Sequence, residues 1–428
     1  MKKKKNKEII VGLDLGTSTF RALGVILDEE GLPRIVGAVE KPAGGLKKGI
    51  VTDMEECSLA VVNTLSELQR ATKTEFKSVF VNINGEAVSL QTSRGITSVA
   101  RADSEITYDD VLRALEGSKK INLPSNRTII QALELEYFVD GIGGILDPIG
   151  MHGIRLEVES LIVDCFYPWL KNVTKCVEDL GGYKKEAVVY NPVLLGYSVL
   201  SKNQKDLGAL VLDLGASTTN LLIFEDRKIL MMKTLPIGGN NITNDLALAL
   251  KIPVDKAEKI KIHFGSAKSS HISKKEKVNL SEVDDSLEGE VSRKYIAQII
   301  EARLEDIFDS VYKELKSIEK FAKLPGGVVL VGGGAKMPLI TDLAKDKLKL
   351  SSQVGLSANF SSEALWSDEE RRVLEDPAWV VATGLVLWAI EQYEKGGKIK
   401  LDTLRRKGFV GFVKSKIKEF FNSFLPLF

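Results

Sequence analysis

The chain has 428 residues, of which 44% are hydrophobic and 27% are charged, and its formal net charge is +1. This length is too great for one hydrophobic core, so we expect several domains. The balanced charge argues against a protein that binds nucleic acid through overall positive charge. Cys57, Cys165 and Cys176 form no CxxC pair, and we expect three reduced core residues rather than a disulfide framework. No stretch approaches the roughly 20 apolar residues that span a bilayer.

The first motif is an apolar run, residues 9–13, that ends in a carboxylate and a hydroxyl-rich turn. The pattern predicts a buried strand, a tight loop and a second strand. Gly16 lets the backbone approach an anion closely, and Thr17 and Ser18 can donate to phosphate oxygens. Asp14 lies where it can hold a hydrated divalent cation. Taken alone, the motif is equally consistent with an ordinary polar hairpin.

Residues 208–224 repeat this plan, with Asp213 at the end of the apolar run. Gly215, Ser217 and Thr218 follow it, as the glycine and hydroxyls follow Asp14. An internal repeat of this kind indicates two similar halves. The two hairpins can close on a triphosphate from opposite sides, with one aspartate from each half near a metal ion.

Other elements of the first half are predicted from periodicity. Leu59, Val62, Leu65 and Leu68 mark an amphipathic helix that follows a loop ending in a cap at Asp53. Residues 86–162 break the pattern and predict a small inserted α+β subdomain of short strands around one helix. The remaining elements expected here are a third strand from Ile35, a strand at 79–84, a strand at 161–164, a helix at 169–180 and an apolar helix at 193–200.

In the second half, a helix at 256–261 precedes a polar stretch, 265–292, that we expect to be mobile. A long helix is expected over 295–321, and the last helix of the globular body over 377–388. Between them, a buried strand at 328–331 ends in three glycines. Such a turn allows a flat ring or a ribose to lie against bare backbone.

These motifs together resemble the actin/Hsp70/sugar-kinase superfamily, whose adenosine motif matches residues 329–339. Within it, the chain is similar to the FtsA family of bacterial cell-division proteins. The specific matches are at 47–53, 137–141, 147–151, 235–245, 257–261 and 300–305. The resemblance implies an α/β, actin-like duplicated ATPase fold with two halves around a nucleotide cleft, an inserted α+β subdomain and a C-terminal amphipathic helix.

The resemblance also implies a division into subdomains, with connecting helices at 188–200 and 376–387. The division is 8–85 with 163–206 and 377–394 (1A), 86–162 (1C-like insert), 207–233 with 318–376 (2A), 234–317 (2B), 395–407 (linker) and 408–428 (membrane-targeting helix).

By resemblance, ATP and Mg²⁺ are the expected cofactors. Asp14 and Asp213 would hold the metal through water. The expected nucleotide residues are Asp14, Gly16, Thr17, Ser18, Asp213, Gly215, Ser217, Thr218, Gly238, Gly239, Glu258, Lys259, Gly333, Gly334 and Ala335.

The second hairpin departs from the family pattern at Ala216, Ser217 and Asn220, and the connecting helix begins with Asn191 where the family has glutamate. An amide cannot act as a general base. We therefore expect ATP binding with slow or absent hydrolysis and assign no catalytic residue.

The tail combines basic residues with aromatic ones. Lysines within it exclude a membrane-spanning helix, whereas aromatic anchors with basic flanks favour a helix lying in an anionic headgroup layer. A helix packed on the body or on a partner subunit is the alternative. The apolar face of the predicted helix comprises Phe409, Phe412, Val413, Ile417, Phe420, Phe421 and Phe424.

The resemblance further implies a protein that polymerises head to tail and tethers the tubulin-like protein FtsZ to the cytoplasmic side of the cell membrane at the division site. Arg293 and Arg303 could bind the acidic, apolar C-terminal peptide of FtsZ, or could be solvated helix residues. Anionic lipids and later divisome proteins are the other expected partners, and nucleic acid is not. The alternatives are a PilM-like pilus-assembly protein and a small-molecule kinase of the same superfamily.

Overall fold

The computed structural model describes residues 9–28, 31–357, 360 and 366–394, so the predicted tail helix lies outside the described residues. In chain order the strands are β1 (Ile10–Leu15), β2 (Thr19–Leu27), β3 (Pro33–Pro42), β4 (Leu46–Lys47), β5 (Ile50–Val51), β6 (Ser78–Ile83), β7 (Val88–Ser98), β8 (Arg127–Val139), β9 (Ile142–Ile145), β10 (Arg155–Phe166), β11 (Lys184–Tyr190), β12 (Ala209–Leu214), β13 (Thr219–Glu225), β14 (Lys228–Leu235), β15 (Lys277–Asn279), β16 (Glu290–Ser292), β17 (Val328–Val331) and β18 (Ser352–Val354). The helices are α1 (Met54–Thr72), α2 (Tyr108–Ser118), α3 (Tyr167–Val177), α4 (Asn191–Ser198), α5 (Lys202–Leu207), α6 (Gly239–Leu250), α7 (Val254–Phe264), α8 (Arg293–Ser317), α9 (Ile340–Leu348), α10 (Asp368–Leu374) and α11 (Val380–Glu394).

The two halves are each built on a mixed five-stranded sheet, with strand orders β11-β6-β1-β2-β3 and β14-β13-β12-β17-β18. The predicted repeat is confirmed in the hairpins, because Asp14 lies opposite Arg21 in the first and Asp213 lies opposite Asn220 in the second. In each half a parallel strand runs beside the first strand of the hairpin, β6 beside β1 and β17 beside β12. The carboxyl ends of these strands therefore meet at one edge of each sheet.

Helix α1 packs on the first sheet with a face that differs from the predicted one. Asp53 caps the helix as expected, and Leu65 and Leu68 are fully buried. Leu59, however, is 60% exposed, and Val61 is buried in its place. A strict spacing of three residues drifts around a helix that has 3.6 residues per turn. Val61 lies four residues before Leu65 and therefore shares its face.

The insert is a separate four-stranded antiparallel sheet, ordered β7-β10-β8-β9, with helix α2 against it. The expectation of short strands was wrong, because β7, β8 and β10 have 11, 13 and 12 residues. Polar residues such as Arg94 and Glu134 interrupt the apolar runs, which antiparallel sheets tolerate and which conceals the strand length. The separate strand expected at 161–164 is the second part of β10.

Helices α4 and α11 connect the halves and pack closely. A Cβ atom on Gly384 would lie 2.2 Å from the carbonyl oxygen of Leu194, so the helices touch backbone to backbone. At the same crossing, the hydroxyls of Ser198, Ser357 and Thr383 form a closed ring of hydrogen bonds of 2.7–2.9 Å.

The three cysteines are free and buried, as expected.

The helix expected from Val188 starts later, at Asn191, because Val188 to Tyr190 pair with β6 as the end of strand β11. Pro192, which lacks an N–H group, fits the first turn of α4.

Among the described residues, no single helix is long and apolar enough to cross a membrane. One pair, Asp368–Leu374 with Pro377–Tyr393, passes that test by length and composition but bends by 79°.

The smaller subdomain of the second half contains α6, α7, α8 and the hairpin of β15 and β16. The stretch 265–292, expected to be mobile, instead forms short helical turns and this hairpin, with Val278 and Leu280 buried in the core of that half. Helix α8 ends at Ser317, earlier than expected. Glu319 and Ala322 adopt positive φ angles, which a helix does not allow.

Candidate functional site

Both motif aspartates are buried, and the charge of Asp213 acts on Asp14. Burial raises the pKa of Asp14 to about 7; the Arg21 guanidinium opposes this shift, and Asp213 adds to it. Burial likewise raises the pKa of Asp213, against the hydrogen bond from Asn220 and the charge of Arg21. Burial disfavours the charged form of both carboxyl groups, and a cation bound between them would stabilise that form.

An amide holds the first aspartate in place. Asn82, at the carboxyl end of β6, donates to Asp14 Oδ1 at 2.6 Å and to Asn191 Oδ1 at 2.8 Å. Its own Oδ1 accepts the Leu15 N–H at 2.6 Å. All hydrogen-bonding atoms of this amide are engaged. Asn82 therefore fixes the aspartate relative to the first residue of the connecting helix.

The hydroxyls of the second hairpin are oriented by two further amides. Asn240 donates to Ser217 Oγ at 3.1 Å, and Asn84 donates to Thr218 Oγ1 at 2.9 Å. Because each hydroxyl accepts in these bonds, its one hydrogen stays available for donation. Ser217 and Thr218 can thus donate to an anion without giving up these bonds.

The carboxylate of the second hairpin belongs to a buried network that crosses between the halves. Asn220 donates to Asp213 Oδ2 at 2.8 Å and accepts from Thr234 Oγ1 at 2.7 Å. Thr234 is 2.9 Å from the hydroxyl of Tyr190, which ends strand β11 of the first half. Thr234 Oγ1 also lies 3.1 Å from Asn84 Oδ1. Asn220, which replaces an aspartate of the family pattern, is thus a hydrogen-bonded part of this network.

The glycines of both hairpins are required by close backbone approach. A Cβ atom on Gly16 would lie 2.5 Å from the carbonyl oxygen of Thr19, and one on Gly215 would lie 2.8 Å from that of Thr218. The side chain of Ser18 is exposed and that of Thr17 is half-buried, so both can be reached from solvent.

The glycines after β17 lie beside the second aspartate. A Cβ atom on Gly332 would lie 2.3 Å from Asp213 Oδ1, and one on Gly334 would lie 2.7 Å from Leu214 Cβ. A Cβ atom on Gly333 would meet nothing within 4 Å. The turn Gly333–Lys336, which includes Ala335, therefore has an open face next to the carboxylate.

The remaining predicted nucleotide residues divide into two places. Gly238 and Gly239 lie against the second hairpin, because the Gly239 N–H donates to the Gly215 carbonyl at 2.9 Å. The Nζ of Lys261 bonds to the Gly239 carbonyl at 3.2 Å and to Glu258 Oε2 at 2.6 Å. Lys259, by contrast, pairs with Asp284 at 3.3 Å. The structure thus places Lys261, rather than Lys259, beside Gly239, because residues two positions apart on a helix point to different sides.

The two arginines expected at the partner surface both have internal partners. Arg303 makes a two-point ion pair with Asp245, at 2.6 and 3.0 Å, which joins α8 to α6. Arg293 bonds to Glu276 at 2.8 Å and to the Phe264 carbonyl at 3.2 Å.

The predicted membrane residues, from Phe409 to Phe424, lie outside the described residues.

The arrangement fits a magnesium-bound nucleotide. The described residues contain no group of three or more His, Cys, Asp or Glu side chains that could hold a metal ion alone. Mg²⁺ is usually held by one or two carboxylates together with water and substrate phosphates. Asp14 and Asp213 provide such a pair, and the free hydroxyl hydrogens beside them suit phosphate oxygens.

Sequence reasoning missed Arg21, Asn82, Asn84 and Lys261. The signal for Arg21 is hairpin register, since a residue seven positions after Asp14 lies opposite it. Its Nε pairs with Glu40 at 2.9 Å, and its Cζ lies 5.9 Å from the centre of the Trp379 ring. The two asparagines lie at the carboxyl end of the strand predicted at 79–84, and this strand, β6, runs parallel to β1, so their position indicates the site.

Two family models match the chain: "Cell division protein FtsA" over residues 210–384 and "SHS2 domain inserted in FTSA" over residues 85–164. The cell division protein FtsA of Pseudomonas aeruginosa is 30% identical over 91% of this chain and 91% of its own length. That of Borreliella burgdorferi is 32% identical over 97% and 98%.

Among solved structures, a PilM–PilN type IV pilus biogenesis complex matches with a TM-score of 0.63 and 18% identity over 90% of this chain and 99% of that one. The MreB 5 protein of Spiroplasma citri bound to AMPPNP matches with a TM-score of 0.51 and 15% identity over 92% and 100%. These likenesses show an actin-like fold.

Proposed function

The chain belongs to the FtsA family of cell-division proteins, and from that premise we propose that it binds ATP with Mg²⁺ between its halves, polymerises, and tethers FtsZ to the cytoplasmic face of the cell membrane. The observation that carries the nucleotide part is the pair of buried carboxylates, Asp14 and Asp213, flanked by oriented hydroxyls. The MreB 5 structure bound to AMPPNP supports the same site by analogy of fold.

In this proposal each residue has a defined task. Asp14 and Asp213 hold the hydrated Mg²⁺, and the hydroxyls of Ser217 and Thr218 donate to phosphate oxygens. When bound, Mg²⁺ would offset the negative charge that the two carboxylates and the phosphate oxygens of ATP bring together in the cleft. The open face of Gly333 receives the adenosine, and Lys261 contributes positive charge near the start of α6.

Hydrolysis is expected to be slow, because Asn191 carries an amide and is held by Asn82 at 2.8 Å. A single-turnover assay with radiolabelled ATP should show bound nucleotide with little phosphate release over many minutes. Asn191→Glu introduces a carboxylate, and we expect it to increase the rate by about 100-fold, at the lower end of the range for general-base catalysis. Rapid release by the unmodified protein would contradict this assignment.

The surface proposed for FtsZ lies on the smaller subdomain of the second half. Leu248, Val254, Ile262 and Tyr295 are exposed by 78%, 55%, 65% and 45%. These apolar side chains lie on α6, α7 and the start of α8, where Tyr295 directly follows Lys294 and where Arg293 is already paired with Glu276. An acidic, apolar peptide suits such a surface in both charge and hydrophobicity.

The function is tested by co-sedimentation of the full chain with vesicles containing anionic lipid, with and without ATP and FtsZ. We expect the chain to pellet strongly only with ATP, because many weak tail contacts act together in a polymer. FtsZ should pellet only when this chain is present. FtsZ without its C-terminal peptide and vesicles of zwitterionic lipid are the matched controls. Pelleting that needs neither ATP nor the tail, tested with a chain truncated after Arg406, would favour the pilus-assembly alternative.

A further inference from the structure

The side chain of Asn84 links Thr218, in the turn of the second motif hairpin, to the β4–β5 hairpin of the first half, which carries Lys47 and Lys48. Its Nδ2 donates to Thr218 Oγ1 at 2.9 Å, across the boundary between the halves. Its Oδ1 accepts the Gly85 N–H at 2.9 Å, so the amide is fixed to its own backbone as well. Asn84 follows directly after strand β6, which is paired on both sides within the first sheet.

The backbone around Asn84 is in contact with the turn of the β4–β5 hairpin. A Cβ atom on Gly49 would lie 2.5 Å from the Asn84 carbonyl oxygen, and one on Gly85 would lie 3.0 Å from the Lys48 carbonyl oxygen. Trp169 closes this contact, because its Nε1 donates to the Gly49 carbonyl at 3.1 Å. There is no free space between these groups, so a shift of Asn84 is transmitted to the hairpin.

The hairpin in turn presents a surface to solvent. Lys47 and Lys48 are exposed, and Ile50 is 43% exposed. Lys48 and Gly49 both adopt positive φ angles, which makes a tight and rigid two-residue turn. A rigid turn moves as a unit when its support moves.

Given the proposed ATP site, we propose that Asn84 is a positioning residue that couples phosphate binding at Thr218 to the position of the basic β4–β5 hairpin. When the Thr218 hydroxyl donates to a phosphate oxygen, it becomes a better acceptor, and the bond from Asn84 strengthens. Asn84 then follows Thr218, and the hairpin follows Asn84. The exposed lysines are thereby held differently in the nucleotide-bound and nucleotide-free protein.

Trp169 provides a direct test of this coupling. The full chain is labelled with 5-fluorotryptophan, and the ¹⁹F resonance of Trp169 is assigned by its absence in Trp169→Phe. Binding of Mg²⁺-ATP is measured separately by competition with a fluorescent ATP analogue. We expect saturating ATP to shift the Trp169 resonance in the unmodified protein. Asn84→Ala removes the hydrogen bonds of this side chain to Thr218, to Thr234 and to the Gly85 N–H. ATP should still bind to this variant within about tenfold, because only the bond to Thr218 involves a residue proposed to touch ATP, but the Trp169 shift should fall to less than about half.

Gln131→Ala is the matched control. It also removes an amide that bridges two elements, since Gln131 Oε1 on β8 accepts from the Tyr190 N–H on β11 at 2.9 Å, and this bond does not involve the β4–β5 hairpin. It should keep the full shift. Bound ATP with no Trp169 shift in the unmodified protein would overturn the coupling but not the ATP site. A full shift in Asn84→Ala would also overturn the coupling. Absence of ATP binding in the unmodified protein would overturn both.

Discussion

Asp213→Asn will weaken the binding of Mg²⁺-ATP by at least about 100-fold, or roughly 2.8 kcal/mol, and will stabilise the nucleotide-free protein. The substitution keeps the shape of the side chain and an oxygen that can accept from Asn220, now at 2.8 Å. It removes one of two charges that are buried in the cleft, so the cation loses a ligand. The nucleotide-free fold loses a repulsion and a desolvation penalty, which we expect to contribute about 0.5–2 kcal/mol.

The two opposite effects make this prediction specific. Calorimetric titration with Mg²⁺-ATP measures the first effect, and thermal unfolding without nucleotide measures the second. Asp206→Asn is the matched control, because Asp206 pairs with Arg227 away from the cleft. It should leave ATP affinity unchanged and slightly lower the unfolding temperature. Near-normal ATP affinity in Asp213→Asn would contradict a metal role for Asp213.

Truncation after Arg406 will abolish co-sedimentation with anionic vesicles while leaving ATP affinity unchanged. The removed segment carries the predicted apolar face, and each phenylalanine buried at a membrane surface contributes on the order of 1.5–3 kcal/mol. The cleft residues all precede residue 395, so the nucleotide site remains. Vesicle pelleting with ATP, followed by titration of the fluorescent ATP analogue, measures both properties.

Point substitutions in the full chain separate the tail's apolar face from its other residues. Phe412→Glu combined with Phe420→Glu should reproduce the loss of vesicle binding. Asn422→Ala, away from that face, should bind vesicles as the unmodified protein does. If the truncated chain pellets as well as the full chain, the tail is not the membrane anchor.

The actin-like fold could be predicted because its signal is repeated and local. An apolar run, an aspartate and a glycine–hydroxyl turn specify a hairpin from neighbouring residues alone, and the chain contains this pattern twice. The exposure of Leu59 and the lengths of the insert's strands were harder to predict, because both depend on which face of an element is covered by other elements. Tyr190 could not be placed in a strand from its own context, since its pairing partner in β6 is far away in the sequence.

The candidate site could be predicted for residues that belong to a motif, but not for residues that contact the motif from another element. Asp14 and Asp213 belong to the motif, whereas Asn82 and Asn84 are recognised only when β6 is placed beside β1. Lys259 and Lys261 show the same limit on a helix. Both are basic and near each other in sequence, but only the rotation of α7 decides that Lys261 contacts Gly239.

The ring of hydroxyls formed by Ser198, Ser357 and Thr383 has a mechanical consequence for the crossing of α4 and α11. Ser198 donates to Ser357, and the Thr383 hydroxyl also lies 3.0 Å from the carbonyl oxygens of Trp379 and Val380, one turn earlier in the chain, so these hydroxyls tie α4 to the start of α11. Beside it, the contact of Gly384 with Leu194 prevents the helices from approaching further. The crossing is therefore held both by backbone contact and by a buried hydrogen bond, so a change in the angle between the two helices would strain or break the bond between Ser198 and Thr383.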